Sequence, residues 1–120
     1  MAESPPPKAH VLIIDDEAPI CRVVTRILET RGFAASSVSE QGSILDTLRG
    51  GHFDVILLDR SMITTDSMDL VHQIREQSPA AKLLFFTGEI VDPASEALVD
   101  GVIQKPINGR QLAETLQRLL

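Results

Sequence analysis

Five strand-like runs, separated by longer segments with helical periodicity, constrain this chain more than any other feature of its sequence. Short apolar runs of about four to eight residues are typical of strands that are buried on both faces of a parallel sheet. A chain that alternates such strands with amphipathic helices is expected to form right-handed βα units. The sequence therefore predicts one α/β domain, with a doubly wound five-stranded parallel sheet flanked by five helices.

The boundaries of these elements follow from local signals. The predicted strands are residues 10–14, 33–38, 53–58, 82–86 and 101–104. The fourth helix is predicted to be short, from a cap at Asp92 with Pro93 in its first turn to about Val99. Residues 1–8 contain three prolines and no apolar pattern. We therefore predict a disordered arm over residues 1–8 and a single folded domain over residues 9–120.

Composition and charge exclude several classes of protein. The net charge is −6 and the basic residues are scattered, which argues against a nucleic-acid or membrane surface. The single cysteine, Cys21, excludes an internal disulfide. No apolar stretch approaches the length of a membrane span, and the N-terminus lacks the pattern of a signal peptide. We therefore expect a cytoplasmic protein.

Polar residues stand where four of the predicted strands end. They are Asp15 and Asp16 after the first strand, Asp59 after the third, Thr87 after the fourth and Lys105 after the fifth. Ligands of open α/β sheets bind outside the carboxyl ends of the strands, so these side chains are expected to converge. Crowded carboxylates repel one another unless a cation lies among them. Each residue alone could be a solvated strand end or helix cap, but together they predict a divalent metal beside a phosphoryl-binding lysine and hydroxyl.

At these residues the chain resembles the receiver domain of bacterial two-component response regulators. The resemblance spans about residues 10–120 and depends on four motifs in the right order, namely Ile14-Asp15-Asp16-Glu17, Leu58-Asp59, Thr87-Gly88 and Lys105-Pro106. It implies a flavodoxin-like sheet with strand order 2-1-3-4-5. It also implies Mg²⁺ binding and transfer of a phosphoryl group from a kinase phosphohistidine to an aspartate.

The resemblance assigns the metal ligands. Asp16 and Asp59 would bind Mg²⁺ directly, together with the backbone carbonyl of Ser61, and Asp15 would act mainly through a bound water. Such a set suits Mg²⁺, which requires octahedral oxygen ligation and keeps several waters.

The resemblance also assigns the chemistry and the partners. Asp59 would be the phosphoacceptor, Lys105 would neutralise charge on the phosphoryl oxygens, and Thr87 would offer its hydroxyl to one of them. The domain would not be an enzyme towards other molecules, since it would catalyse only its own phosphorylation and dephosphorylation. The implied donor is a histidine kinase or a phosphotransfer protein. The output partner or effector domain is not identified by the sequence.

Two departures from the family pattern leave a second interpretation open. Val102 stands where the family usually has an aromatic residue, and the segment between Thr87 and Lys105 is shorter than usual, so we expect an atypical output face. The alternative is a pseudo-receiver, an interaction module that acts without phosphorylation. A phosphatase of the aspartyl-phosphate type is disfavoured, because Ser61 stands where such enzymes need a second carboxylate.

Overall fold

The protein forms one five-stranded parallel sheet with helices on both faces. The computed structural model describes residues 6–63, 69–88, 90–106 and 108–120. The strands are β1 (His10–Ile14), β2 (Ala34–Val38), β3 (Val55–Asp59), β4 (Lys82–Thr87) and β5 (Gly101–Gln104). They lie in the order β2-β1-β3-β4-β5, and every neighbouring pair is parallel. The predicted fold class and strand order are confirmed.

The helices are α1 (Ala18–Thr30), α2 (Ile44–Gly50), α3 (Asp69–Gln77), α4 (Pro93–Glu96) and α5 (Gly109–Leu119). A short 3₁₀ turn at Gln41–Ser43 precedes α2, and another at Arg60–Met62 follows β3. The prediction of a short fourth helix is confirmed, and Asp92 caps it by accepting a hydrogen bond from the Ser95 amide at 3.0 Å. The predicted end near Val99 is wrong. The helix ends at Glu96, because the amides of Leu98 and Val99 bond three residues back, to Ser95 and Glu96, rather than four.

Side chains on the two faces of the sheet form two separate cores. Because side chains alternate along a strand, Leu12 and Ile14 of β1 enter the core beneath α2 and α3, whereas Val11 and Ile13 enter the core beneath α1 and α5. The adjacent phenylalanines of β4 divide in the same way. Phe85 belongs to the α2/α3 core and Phe86 to the α1/α5 core, and both are fully buried.

The register of the strands sets the position of the candidate site. Ile14 of β1 lies opposite Leu58 of β3, and Asp59 lies opposite Phe86 of β4. Thr87 of β4 lies opposite Gln104 of β5. The residues that directly follow β1 and β5 are therefore brought to the same sheet edge as the last residues of β3 and β4.

Lys8, in the N-terminal segment, contacts the turn that follows α1. Lys8 donates its backbone N–H to the carbonyl oxygen of Gly32 at 2.9 Å. Its ammonium lies 5.6 Å from the centre of the Phe33 ring. Gly32 has a φ of +90°, a conformation that a side chain disfavours, and it follows the end of α1. Residues 1–5 of the predicted arm lie outside the described part of the chain.

An ion pair anchors the chain between α4 and β5. Asp100 accepts hydrogen bonds from the Leu83 amide at 2.8 Å and from the Arg75 guanidinium at 3.1 Å. Arg75 also donates to the Leu98 carbonyl oxygen at 3.1 Å. Partial burial by itself would raise the pKa of the Asp100 carboxyl. The Leu83 amide and Arg75 outweigh that effect and hold the pKa below its ordinary value of 3.8.

The lowered pKa predicts how stability changes with pH. A carboxyl whose pKa is lower in the folded state stabilises the fold above its unfolded pKa, and this contribution is lost as the pH falls through the folded pKa. We expect Asp100→Asn to lower the free energy of unfolding by about 1 kcal/mol at neutral pH, and the difference from wild type to vanish at strongly acidic pH. Urea unfolding across acidic and neutral pH measures both effects. Asp46→Asn, which removes an exposed pair with Arg49, is the matched control and should change little. A constant difference at all pH values would contradict the assignment.

Candidate functional site

Asp59 is the last residue of β3 and is only 5% exposed. Its Oδ1 accepts a hydrogen bond from the backbone N–H of Ser61 at 3.0 Å, within the 3₁₀ turn that follows the strand. Its Oδ2 lies 3.5 Å from the ammonium nitrogen of Lys105. The backbone turn thus orients one oxygen of the carboxylate, and the other oxygen faces the Lys105 ammonium.

Asp15 follows β1 directly and is fully buried. Its Oδ1 accepts a hydrogen bond from the Glu17 amide at 2.9 Å, and its Oδ2 forms an ion pair with the Lys105 ammonium at 3.0 Å. Burial raises the pKa of the Asp15 carboxyl above its ordinary value of 3.8, and these hydrogen bonds offset only part of the rise. A buried carboxylate needs a cationic partner, and Lys105 supplies it.

Lys105 follows β5, and its side chain is 18% exposed. Its ammonium contacts Asp15 and Asp59 and lies 4.8 Å from the centre of the Phe86 ring. Burial alone would lower the pKa of this ammonium, but the hydrogen bond to Asp15 and the charges of both aspartates raise it above its ordinary value of 10.5. Lysine is therefore held in its charged form at this position. The peptide bond from Lys105 to Pro106 is cis.

Three carboxylates form a cluster that could hold a metal ion. One ligand oxygen from each of Asp15, Asp16 and Asp59 lies within 4.8 Å of the other two. Asp15 and Asp59 are buried, and Asp16 is exposed to solvent. Carboxylate oxygens with access to water suit a hard cation such as Mg²⁺, which keeps several waters in its shell. The donor set therefore fits the ion that the sequence predicts.

The two remaining predicted site residues lie at the same edge of the sheet. Thr87 ends β4, is 2% exposed, and accepts a hydrogen bond from the Lys105 amide on its carbonyl oxygen at 2.8 Å. Ser61 is exposed and contacts Asp59 through its backbone N–H. The predicted role of the Ser61 carbonyl as a metal ligand stays a prediction.

Sequence reasoning missed three contacts of the site. It assigned Lys105 to a phosphoryl group and did not foresee the ion pair with Asp15. It gave no site role to Phe86, whose ring faces the Lys105 ammonium. It used Cys21 only to exclude a disulfide, whereas the thiol donates to the Asp15 carbonyl oxygen at 3.3 Å. The position of Phe86, one residue before Thr87 and on the α1/α5 side, was the available signal.

Comparison with known proteins identifies the family. A family model described as the response regulator receiver domain matches residues 11–117. The chain belongs to this family. Chemotaxis protein CheY-3 of Vibrio cholerae is 30% identical over 116 residues, which cover 91% of this receiver and 89% of that protein. The solved structure of V. cholerae CheY4 has a TM-score of 0.81 and 28% identity, and the match covers 93% of this receiver and 98% of that chain.

Other relatives are much longer proteins. The transcriptional regulatory protein ZraR of Salmonella typhimurium is 28% identical over 117 residues, which cover 94% of this receiver and 26% of ZraR. The receiver thus spans about a quarter of the length of that relative. The resemblance drawn from the motifs is confirmed, and the chain is a receiver of two-component signalling. Among the residues that the structure describes, no helix is long and apolar enough to cross a membrane.

Proposed function

We propose that this receiver accepts a phosphoryl group on Asp59, in a reaction that requires Mg²⁺, and that phosphorylation changes its interactions with a partner. The observation that carries the proposal is the position of the Lys105 ammonium. It bridges Asp59, the acceptor, and Asp15, which are two of the three carboxylates in the cluster. Negative charge and one shared cation at a single sheet edge suit a site for a phosphoryl group and a metal.

The roles of the residues follow from their contacts. Asp15, Asp16 and Asp59 would hold the ion with the Ser61 carbonyl, and the bound ion would neutralise charge on the phosphoryl oxygens. The Asp59 oxygen forms a bond to phosphorus, while the bond from phosphorus to the donor imidazole nitrogen breaks and its electron pair stays on that nitrogen. The product is an acyl phosphate on Asp59.

Lys105 and Thr87 would bind the oxygens of the transferred phosphoryl group. The Lys105 ammonium already lies 3.5 Å from Asp59 Oδ2, so a small movement brings it to a phosphoryl oxygen bound there. Thr87 would donate its hydroxyl to another phosphoryl oxygen. Positioning and charge neutralisation are the main contributions a protein makes to phosphoryl transfer.

A neighbouring surface supports a protein as the phosphoryl donor. An apolar groove of about 320 Å³ lies beside the site and is lined by Pro19, Ile20, Val23, Ile27, Lys105 and Pro106. Val23 on α1 is 56% exposed, which is high for a valine. Because Lys105 borders both the groove and Asp59, a protein that delivers a phosphoryl group to Asp59 would cover the groove. A histidine kinase or phosphotransfer protein is the donor we propose.

One observation favours a second candidate, the pseudo-receiver. Val102 lies opposite Phe85 in the sheet and packs against the α2/α3 core, so no aromatic side chain is available there to change position on phosphorylation. If partners recognise this face regardless of phosphate, the domain acts as a constitutive interaction module. The complete acidic cluster with its lysine argues for the first candidate.

Labelling by a small phosphodonor separates the two candidates. Acetyl phosphate with Mg²⁺ should add the mass of one phosphoryl group to the intact protein, and EDTA should abolish the gain. Asp16→Ala should lower labelling strongly at limiting Mg²⁺, because it removes a ligand, whereas Asp46→Ala on the exposed surface of α2 should not. Intact-mass spectrometry measures all four conditions. Absence of labelling at millimolar Mg²⁺ would leave the pseudo-receiver as the better description.

A further inference from the structure

The ammonium of Lys105 has an aromatic neighbour in addition to its two carboxylates. It lies 4.8 Å from the centre of the Phe86 ring, within the range in which a cation is attracted to the face of an aromatic ring. This attraction grows when the pair is shielded from water, and here the ring is fully buried and the lysine side chain is only 18% exposed.

The ring is held in place by the fold. Phe86 lies between Asp59 of β3 and Ile103 of β5 in the sheet, and its side chain packs in the α1/α5 core. Lys105, by contrast, carries its charge on a flexible four-carbon stem, so it needs fixed partners to stay at one point. The ring is such a fixed partner, directly beside the acceptor residue.

The three contacts of the ammonium respond differently to a bound metal. The oxygens of Asp15 and Asp59 are the groups that would ligate a cation. A bound cation would compete with the Lys105 ammonium for these oxygens and weaken their hold on it. Phosphorylation of Asp59 changes that carboxylate again. A phenylalanine ring is not a ligand for Mg²⁺, which prefers oxygen, so its attraction for the ammonium persists through both changes.

We propose that Phe86 is a positioning residue, whose ring face retains the Lys105 ammonium beside Asp59 while the carboxylates are engaged by a cation or a phosphoryl group. This inference rests on the proposed function, and it adds a residue that acts through Lys105 rather than on the phosphoryl group itself. Without the ring, the Lys105 ammonium spends more time away from Asp59. The rate of phosphorylation is then lower, because the charge is absent during more of the collisions with a phosphodonor.

The neighbouring residue Phe85 provides a matched control. It is equally buried and adjacent in sequence, but it belongs to the α2/α3 core and the cation over its ring is Arg60, at 5.9 Å. A substitution that lowers the phosphorylation rate only by weakening a hydrophobic core should have the same effect at Phe85 and at Phe86. A change that acts through Lys105 should be confined to Phe86.

Fluorinated phenylalanines test the attraction without changing the packing. Mono-, di- and trifluorinated rings keep nearly the same shape while progressively weakening the negative face of the ring. At position 86 we expect labelling by acetyl phosphate with Mg²⁺ to slow progressively, by about three- to tenfold for the trifluorinated ring. The same series at position 85 should leave the rate unchanged. If the wild-type protein is labelled and the series at position 86 is flat, this inference is overturned and the proposed function stands. If the wild-type protein is not labelled, both fall.

A metal-free measurement tests the geometry independently of activity. Protons above a ring face are shifted upfield, so the ε-methylene protons of Lys105 should resonate upfield of those of the exposed Lys82. Phe86→Leu should remove this shift, Phe85→Leu should keep it, and addition of Mg²⁺ to the wild-type protein should not abolish it. An unshifted Lys105 signal in the wild-type protein, or a shift that survives Phe86→Leu, would refute the contact.

Discussion

Replacement of Asp59 by asparagine is expected to abolish phosphoryl incorporation from acetyl phosphate. The amide oxygen of asparagine carries no negative charge and is a poor nucleophile, so we expect the rate to fall by at least about 10³-fold. The Ser61 amide can still donate to the asparagine side-chain oxygen, as it does to Asp59 Oδ1, so the local turn should persist. Intact-mass spectrometry after prolonged incubation measures the loss.

Asp46→Asn provides the control for this experiment, since Asp46 is an exposed residue of α2 outside the acidic cluster. It should be labelled at the wild-type rate. Labelling of Asp59→Asn to the wild-type level would show that another residue accepts the phosphoryl group. Peptide mapping would then be directed first at Asp15 and Asp16.

Replacement of Lys105 by methionine should move two properties of the site in opposite directions. Loss of the ammonium removes charge stabilisation from the phosphoryl oxygens, and we expect the labelling rate to fall by about 10²–10³-fold. Mg²⁺ affinity should rise several-fold, because the positive charge that lies 3.0 Å from Asp15 Oδ2 and repels a second cation is gone. Calorimetry or NMR titration measures the affinity, since the chain has no tryptophan to report binding by fluorescence.

The arginine variant separates charge from geometry at this position. Lys105→Arg keeps the positive charge, so Mg²⁺ affinity should stay near that of the wild type, while the bulkier planar head should still slow labelling. Parallel losses of metal affinity and labelling in Lys105→Met would instead indicate damage to the fold. Circular dichroism of both variants with and without Mg²⁺ checks that explanation.

The proteins that match this receiver differ widely in length. Its relatives include a chemotaxis protein of nearly the same length, a transcriptional regulatory protein and a sensor kinase of Brucella abortus, of which the match covers only 12%. Segments similar to this chain therefore occur in proteins of very different lengths. An output mechanism for this receiver has to account for the short α4 and for the valine at position 102.

Local signals were sufficient to predict most of the fold. Both ends of β1 and β5 agree with the prediction, and the ends of the other strands agree within two residues. The short α4 followed from Asp92 and Pro93, because a cap and a first-turn proline act within a few residues of the helix they begin. The sequence also predicted that the polar residues at the strand ends converge, since the carboxyl ends of parallel strands lie at one edge of the sheet.

The contacts among the converging side chains were decided only by the tertiary structure. Lys105 is 90 residues from Asp15 and 46 from Asp59 along the chain, and its long side chain could have reached solvent instead. Its position depends on the buried charge of Asp15, the orientation of Asp59 by the Ser61 amide, and the ring of Phe86. The strand pattern assigns a side chain to a face of the sheet. The rotamer of a flexible lysine is selected by partners from distant parts of the chain, and those partners are assembled only when the sheet is complete.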